Sequence, residues 1–213
     1  KVRSLPPRAM HHRSIVGLDA GNSQMPRSIA ALVYFAVCCV VVLLPLHAAM
    51  LADPFTQSRG WMVEFAVALG FVAFTLILLE LALVTRLRTL SDAYGTDTLL
   101  QFHRGLGIAA AAFLAAHVLG LVLPAGQWRW LNPFAGGAAL QTGAAAFWSM
   151  LLLVASSLWR RRLRISFDLW NRIHRIGTLV LLASSTAHLL LVAGYTSTPA
   201  VRAVVLALAE IFA

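Results

Sequence analysis

Six apolar runs, parted by short polar or turn-rich stretches, leave this chain little choice of fold. They cover residues 28–51, 61–84, 99–123, 142–159, 173–195 and 199–213. A helix needs about 20 mostly apolar residues to cross a hydrocarbon core about 30 Å thick. The last run, about 15 residues long, is short for a crossing and reads as cut or as continuing past Ala213. A soluble alternative fails on charge, because only 12% of the residues are charged against about 25% in soluble domains. The first run is longer than the roughly 7–15-residue core of a signal peptide. A transmembrane β-barrel would need short alternating strands, and the sequence has none. The expected fold is an all-α membrane protein, a six-transmembrane-helix bundle over residues 28–213. Residues 1–27 are basic and rich in turn formers, and read as a flexible cytoplasmic tail. His11 and His12 within it read as solvated. The lack of an initiator Met suggests numbering that starts inside a longer chain.

The basic residues orient the bundle. With six crossings, Lys1, Arg3, Arg8, Arg13, Arg27, Arg86, Arg88, Arg104, Arg160, Arg161, Arg162, Arg164, Arg172 and Arg175 fall on one side. Only Arg59, Arg129 and Arg202 fall on the other. Fourteen against three places the N-terminus in the cytoplasm by the positive-inside rule. The net charge of +9 is thus mostly a topology signal. It carries no basic and aromatic pattern of a nucleic-acid module, so no nucleic-acid partner is expected. Cys38 and Cys39 are adjacent in an apolar run and read as small apolar residues.

Four histidines interrupt the third and fifth of these runs. His103 and His117 lie in "FHRGLGIAAAAFLAAH", and His174 and His188 in "HRIGTLVLLASSTAH". Each pair is fourteen residues apart, about 21 Å of helix and within about 40° of whole turns. Each pair therefore shares one helix face, and no pair can chelate one ion. Helices 3 and 5 are separated by one crossing and run parallel. His103 then lies level with His174, and His117 with His188. Two stacked bis-histidine sites suit the axial positions of a flat macrocycle, and haem is the cofactor of that shape. A lone membrane His can instead hydrogen-bond across a bundle. Zinc and copper sites want three or four protein ligands, and none accompany these pairs.

The two motifs resemble those of the ferric reductase-like transmembrane domain family, which includes NADPH oxidases, ferric reductases and many bacterial relatives. The resemblance implies that His103, His117, His174 and His188 ligate two b haems. It implies transmembrane electron transfer, from a cytoplasmic flavin and NAD(P)H donor to an external ferric chelate or oxygen. It also implies an FAD- and NAD(P)H-binding module, on a further domain or a separate protein. No strand–GxGxxG–helix unit occurs here; Gly105 and Gly107 sit inside helix 3 and read as packing positions. Oxidases of the family carry a further His one turn beyond the outer ligand of helix 3. Leu121 stands there, which favours a ferric chelate over oxygen. The expected location is a bacterial inner membrane. Two other readings stand beside this one: a quinol-fed haem subunit serving a periplasmic enzyme, and a non-enzymatic subunit of a larger membrane complex.

Other residues are secondary candidates. Arg104, Arg172 and Arg175 flank the cytoplasmic pair, where they anchor the topology or pair with haem propionates. The run "WRRRLR" from Trp159 is a solvated loop or a docking surface for an acidic donor. Trp128 and Trp130 read as interfacial belt residues, or with His47, Arg59 and Arg129 as an acceptor pocket. Glu64 and Glu80 are intramembrane acids, and Glu80 is within reach of Arg86 or Arg88.

Overall fold

The computed structural model describes residues 27–51, 60–85, 94–192 and 194–212. Residues 1–26 of the expected tail, with Arg59, Arg86 and Arg88, lie outside them, and Arg27, the tail's last residue, opens the first helix. Among the described residues the long elements are six helices: α1 (Arg27–Leu51), α2 (Trp61–Thr85), α3 (Thr96–Ala125), α4 (Ala138–Trp159), α5 (Phe167–Leu191) and α6 (Pro199–Phe212). Two 3₁₀ turns, Trp128–Leu131 and Tyr195–Ser197, sit in the connections.

By length and composition, α2, α3 and α4 can each cross a membrane. α5 has 25 residues, but two histidines and four hydroxyl residues dilute its apolar content. Three of those hydroxyls are satisfied within the helix. Thr178 Oγ donates to His174 O at 2.8 Å, Ser184 Oγ to Val180 O at 2.5 Å, and Ser185 Oγ to Leu182 O at 3.1 Å. Such back-bonding suits a helix in apolar surroundings, where nothing else can take up the donors.

Several helix ends differ from the apolar runs. α4 starts at Ala138 and α5 at Phe167, four and six residues earlier than apolarity indicates. The added turn of α5 carries Asp168 and Arg172, so it is helical without being apolar. Ser166 caps it by accepting the Leu169 N–H at 3.4 Å, an ordinary N-cap role. α5 stops at Leu191 rather than at Tyr195, and Gly194 adopts φ 118° in the turn that follows. α3 continues through Pro124 to Ala125. Gly126 ends it at φ 62°, its N–H reaching Leu123 O at 3.3 Å, as expected of a left-handed C-terminal glycine.

α2 is the centre of the bundle. On one side Phe71, Phe74 and Leu78 meet Ala49 of α1 and Val201, Val205 and Leu208 of α6. On the other, Leu76 and Ile77 join Ala110 of α3, Ala146, Met150 and Leu153 of α4, and Leu181 of α5. A helix apolar all round belongs in such a position. α2 packs along α3, and α4 along α5, as two close hairpins. The Cα atoms of α3 and α5 nowhere come within 8 Å of each other. The helices that carry the four histidines therefore face each other across a gap.

Candidate cofactor-binding site

The histidines meet across that gap in two pairs. The ring centres of His103 and His174 are 6.3 Å apart, with planes at 76°. Those of His117 and His188 are 6.5 Å apart, at 71°. α3 and α5 thus run parallel. One pair lies at the end of the bundle where α3 and α5 begin, the basic end. The other lies toward the Trp128–Leu131 turn, the far end.

At the far end the two rings are held alike. His117 Nδ1 lies 2.7 Å from Ala66 O on α2, and His188 Nδ1 lies 2.7 Å from Ala139 O on α4. A carbonyl only accepts, so each Nδ1 carries the proton and donates, which leaves Nε2 as the unprotonated nitrogen of each ring. Four residues beyond each carbonyl stands a glycine. A Cβ on Gly70 would come within 2.7 Å of the His117 ring, and one on Gly143 within 2.8 Å of the His188 ring. Each glycine is the notch that lets a ring reach the neighbouring helix. A cavity of about 460 Å³ opens here, lined by both rings, both glycines and otherwise mostly apolar residues that include Leu121 and Trp130.

At the basic end the two rings are held differently. His103 Nδ1 pairs with the Glu80 carboxylate of α2. His174 packs on Trp170, with ring centres 5.1 Å apart, and its buried Nδ1 meets no acceptor among the described residues. Arg160 stacks over Trp170 at 5.4 Å and over Phe167 at 5.6 Å, a cation–π arrangement that pins the α4–α5 loop.

The ring separations have a direct chemical meaning. A metal–imidazole bond is about 2.0–2.1 Å long and a ring nitrogen lies about 1.2 Å from its ring centre, so two opposed imidazoles on one metal have centres about 6.4 Å apart. Both pairs stand at that separation. Neither pair has a third protein ligand: among the described residues no group of three or more His, Cys, Asp or Glu could hold a metal ion. The equatorial donors would have to come from outside the protein.

Residues 69–185, more than half of the chain, match the family described as ferric reductase like transmembrane component. The chain belongs to that family. Neither a curated protein nor a solved structure matches it. As a member of the ferric reductase-like family, with helices fit to cross a bilayer, it is an integral membrane protein. Membership also brings oxidoreductase-type chemistry, transmembrane electron transfer in general terms. The matched segment holds His103, His117 and His174 and stops three residues short of His188.

Other residues of this family member fall as follows. Arg104, Arg172 and Arg175 are exposed at the basic end, and make no ion pair among the described residues. Glu80 engages His103; its expected partners Arg86 and Arg88 lie outside the described residues. His47 is exposed and bonds Leu43 O of its own helix at 2.9 Å, and it does not line the cavity. Trp130 lines the cavity and Trp128 is exposed. Arg202 closes the far end of α5, its Nε donating to Thr196 O at 2.8 Å and its Nη2 reaching Leu190 O at 3.5 Å. Sequence reading missed Gly70, Gly143, Ala66, Ala139 and Trp170. The one signal for the first four is a shared pattern, an alanine four residues before a glycine in α2 and in α4.

Proposed function

We propose that the chain carries electrons across the bilayer with two b-type haems, one held by His103 and His174 and the other by His117 and His188. The observation that carries this reading is the pair of ring separations, 6.3 and 6.5 Å, across a gap between two helices of one direction. Haem supplies one-electron redox chemistry when bound. The protein's part is to fix the rings. Ala66 O and Ala139 O hold the far-end tautomers, and Gly70 and Gly143 make room for the rings. Arg104, Arg172 and Arg175 supply guanidinium groups at the basic end, where anionic propionates favour them.

The basic end faces the cytoplasm in this reading, and the donor there is a flavin- and NAD(P)H-bearing domain or protein. The acceptor on the opposite side is a diffusible ferric chelate. Leu121 stands where the oxidases carry a further His, the cavity lining is mostly apolar, and His47 is turned to its own helix. Orientation is tested by single cysteines in a chain with Cys38 and Cys39 replaced by serine. Leu163→Cys should be protected from membrane-impermeant thiol reagents in intact cells and Gly137→Cys should react; the reverse pattern inverts the direction. The activity is tested in proteoliposomes with reductant trapped on the basic side and ferric citrate outside. Ferric reduction should require both histidine pairs. An undiminished rate in His117→Ala, His188→Ala would defeat the proposal.

A further inference from the structure

We infer that Glu80 is a positioning residue that sets the two haems apart in potential, making the basic-end site the lower of the two. The inference rests on the haem reading above and concerns only what this chain places behind its ligands. Among the described residues, His103 is the one of the four rings with an anion behind it. Glu80 is 14% exposed, and a carboxylate so placed is retained only with a partner. Its partner is His103 Nδ1. The two hairpins otherwise correspond. Gly70 of α2 and Gly143 of α4 both notch a far-end ring. Ten residues on from each stand Glu80 and Leu153. Leu153 packs over Gly177 of α5 and gives His174 no acceptor. The acid is therefore an addition to one hairpin, not a feature the packing requires of both.

The sign follows from ligand chemistry. A carboxylate behind a metal-bound imidazole raises the basicity of the coordinating nitrogen, more than a neutral carbonyl does. A more basic ligand favours the higher oxidation state of the metal and lowers its reduction potential. His117 and His188 have only carbonyls at Nδ1. Electrons supplied at the basic end then run downhill to the far end.

The test is a spectroscopic redox titration of the full chain with its haem bound, set beside the haem-to-protein ratio. Glu80→Gln keeps an acceptor for His103 and removes the charge. Two reductive waves are expected in the parent. Glu80→Gln should raise the lower wave by about 59 mV, a tenfold change in that haem's oxidised-to-reduced ratio for one electron. The upper wave should stay in place. Two bound haems with neither wave moved, or with the upper one moved, would overturn the role of Glu80 and leave the haem reading intact. A parent chain that binds fewer than two haems would overturn that reading instead. Should Glu80→Gln shed a haem, single-site chains decide. The His117→Ala, His188→Ala chain keeps only the site beside Glu80, and must have a lower midpoint than the His103→Ala, His174→Ala chain. An equal or higher midpoint overturns the inference.

Discussion

His117 and His188 sit in matching notches, each with a carbonyl on its Nδ1 at 2.7 Å and a glycine beneath the ring. His103 and His174 match each other in neither respect. One has a carboxylate, and the other has Trp170 and, among the described residues, no acceptor at its Nδ1. Yet the ring separations at the two ends differ by only 0.2 Å. Spacing between the rings is thus common to both sites, while what stands behind the rings is not. A fold that merely buried four histidines would have no reason to keep the first constant. A site tuned for a bound group has reason to vary the second.

The largest effects should come from the ligands themselves. His103→Ala and His174→Ala should each remove the same haem, and His117→Ala and His188→Ala the other, read from the haem-to-protein ratio and the absorption spectrum. Loss that groups His103 with His188 would break the comparison outright. Next come the notches. Gly70→Ala or Gly143→Ala forces a ring off its carbonyl, and overpacking of this kind costs about 1–3 kcal/mol, or about 5–150-fold in occupancy. Only the far-end haem should weaken in a haem-transfer assay. Gly105→Ala, which meets nothing within 4 Å, should leave both sites unchanged. The smallest effect belongs to the basic end. Trp170→Leu removes a ring contact worth about 0.5–1.5 kcal/mol, so that haem should be lost about 2–10-fold faster. A slower loss, or loss confined to the far end, would show that Trp170 does not support His174.

Much of the bundle was legible because helical geometry is periodic. A fourteen-residue spacing puts two histidines on one face wherever the helix goes, and apolar runs mark membrane segments without knowledge of their neighbours. The partners were not legible. Gly70 and Gly143 matter because of which face α2 and α4 turn to the next helix, and tertiary packing decides that. The contact of Glu80 with His103 on the following helix depends on how the hairpin packs, which neighbours along the chain do not reveal. The start of α5 was missed because Asp168 and Arg172 are polar, although Ser166 is a good N-cap and was there to be read.

The central claim is that each pair of level histidines holds one haem, and the haem-to-protein ratio of the purified full chain tests it most directly. Haem is extracted, quantified as its pyridine complex, and set against protein from amino-acid analysis. The expected result is two b-type haems per chain with the spectrum of six-coordinate, low-spin iron. One haem per chain, none, or a high-spin spectrum with an open coordination position would contradict it.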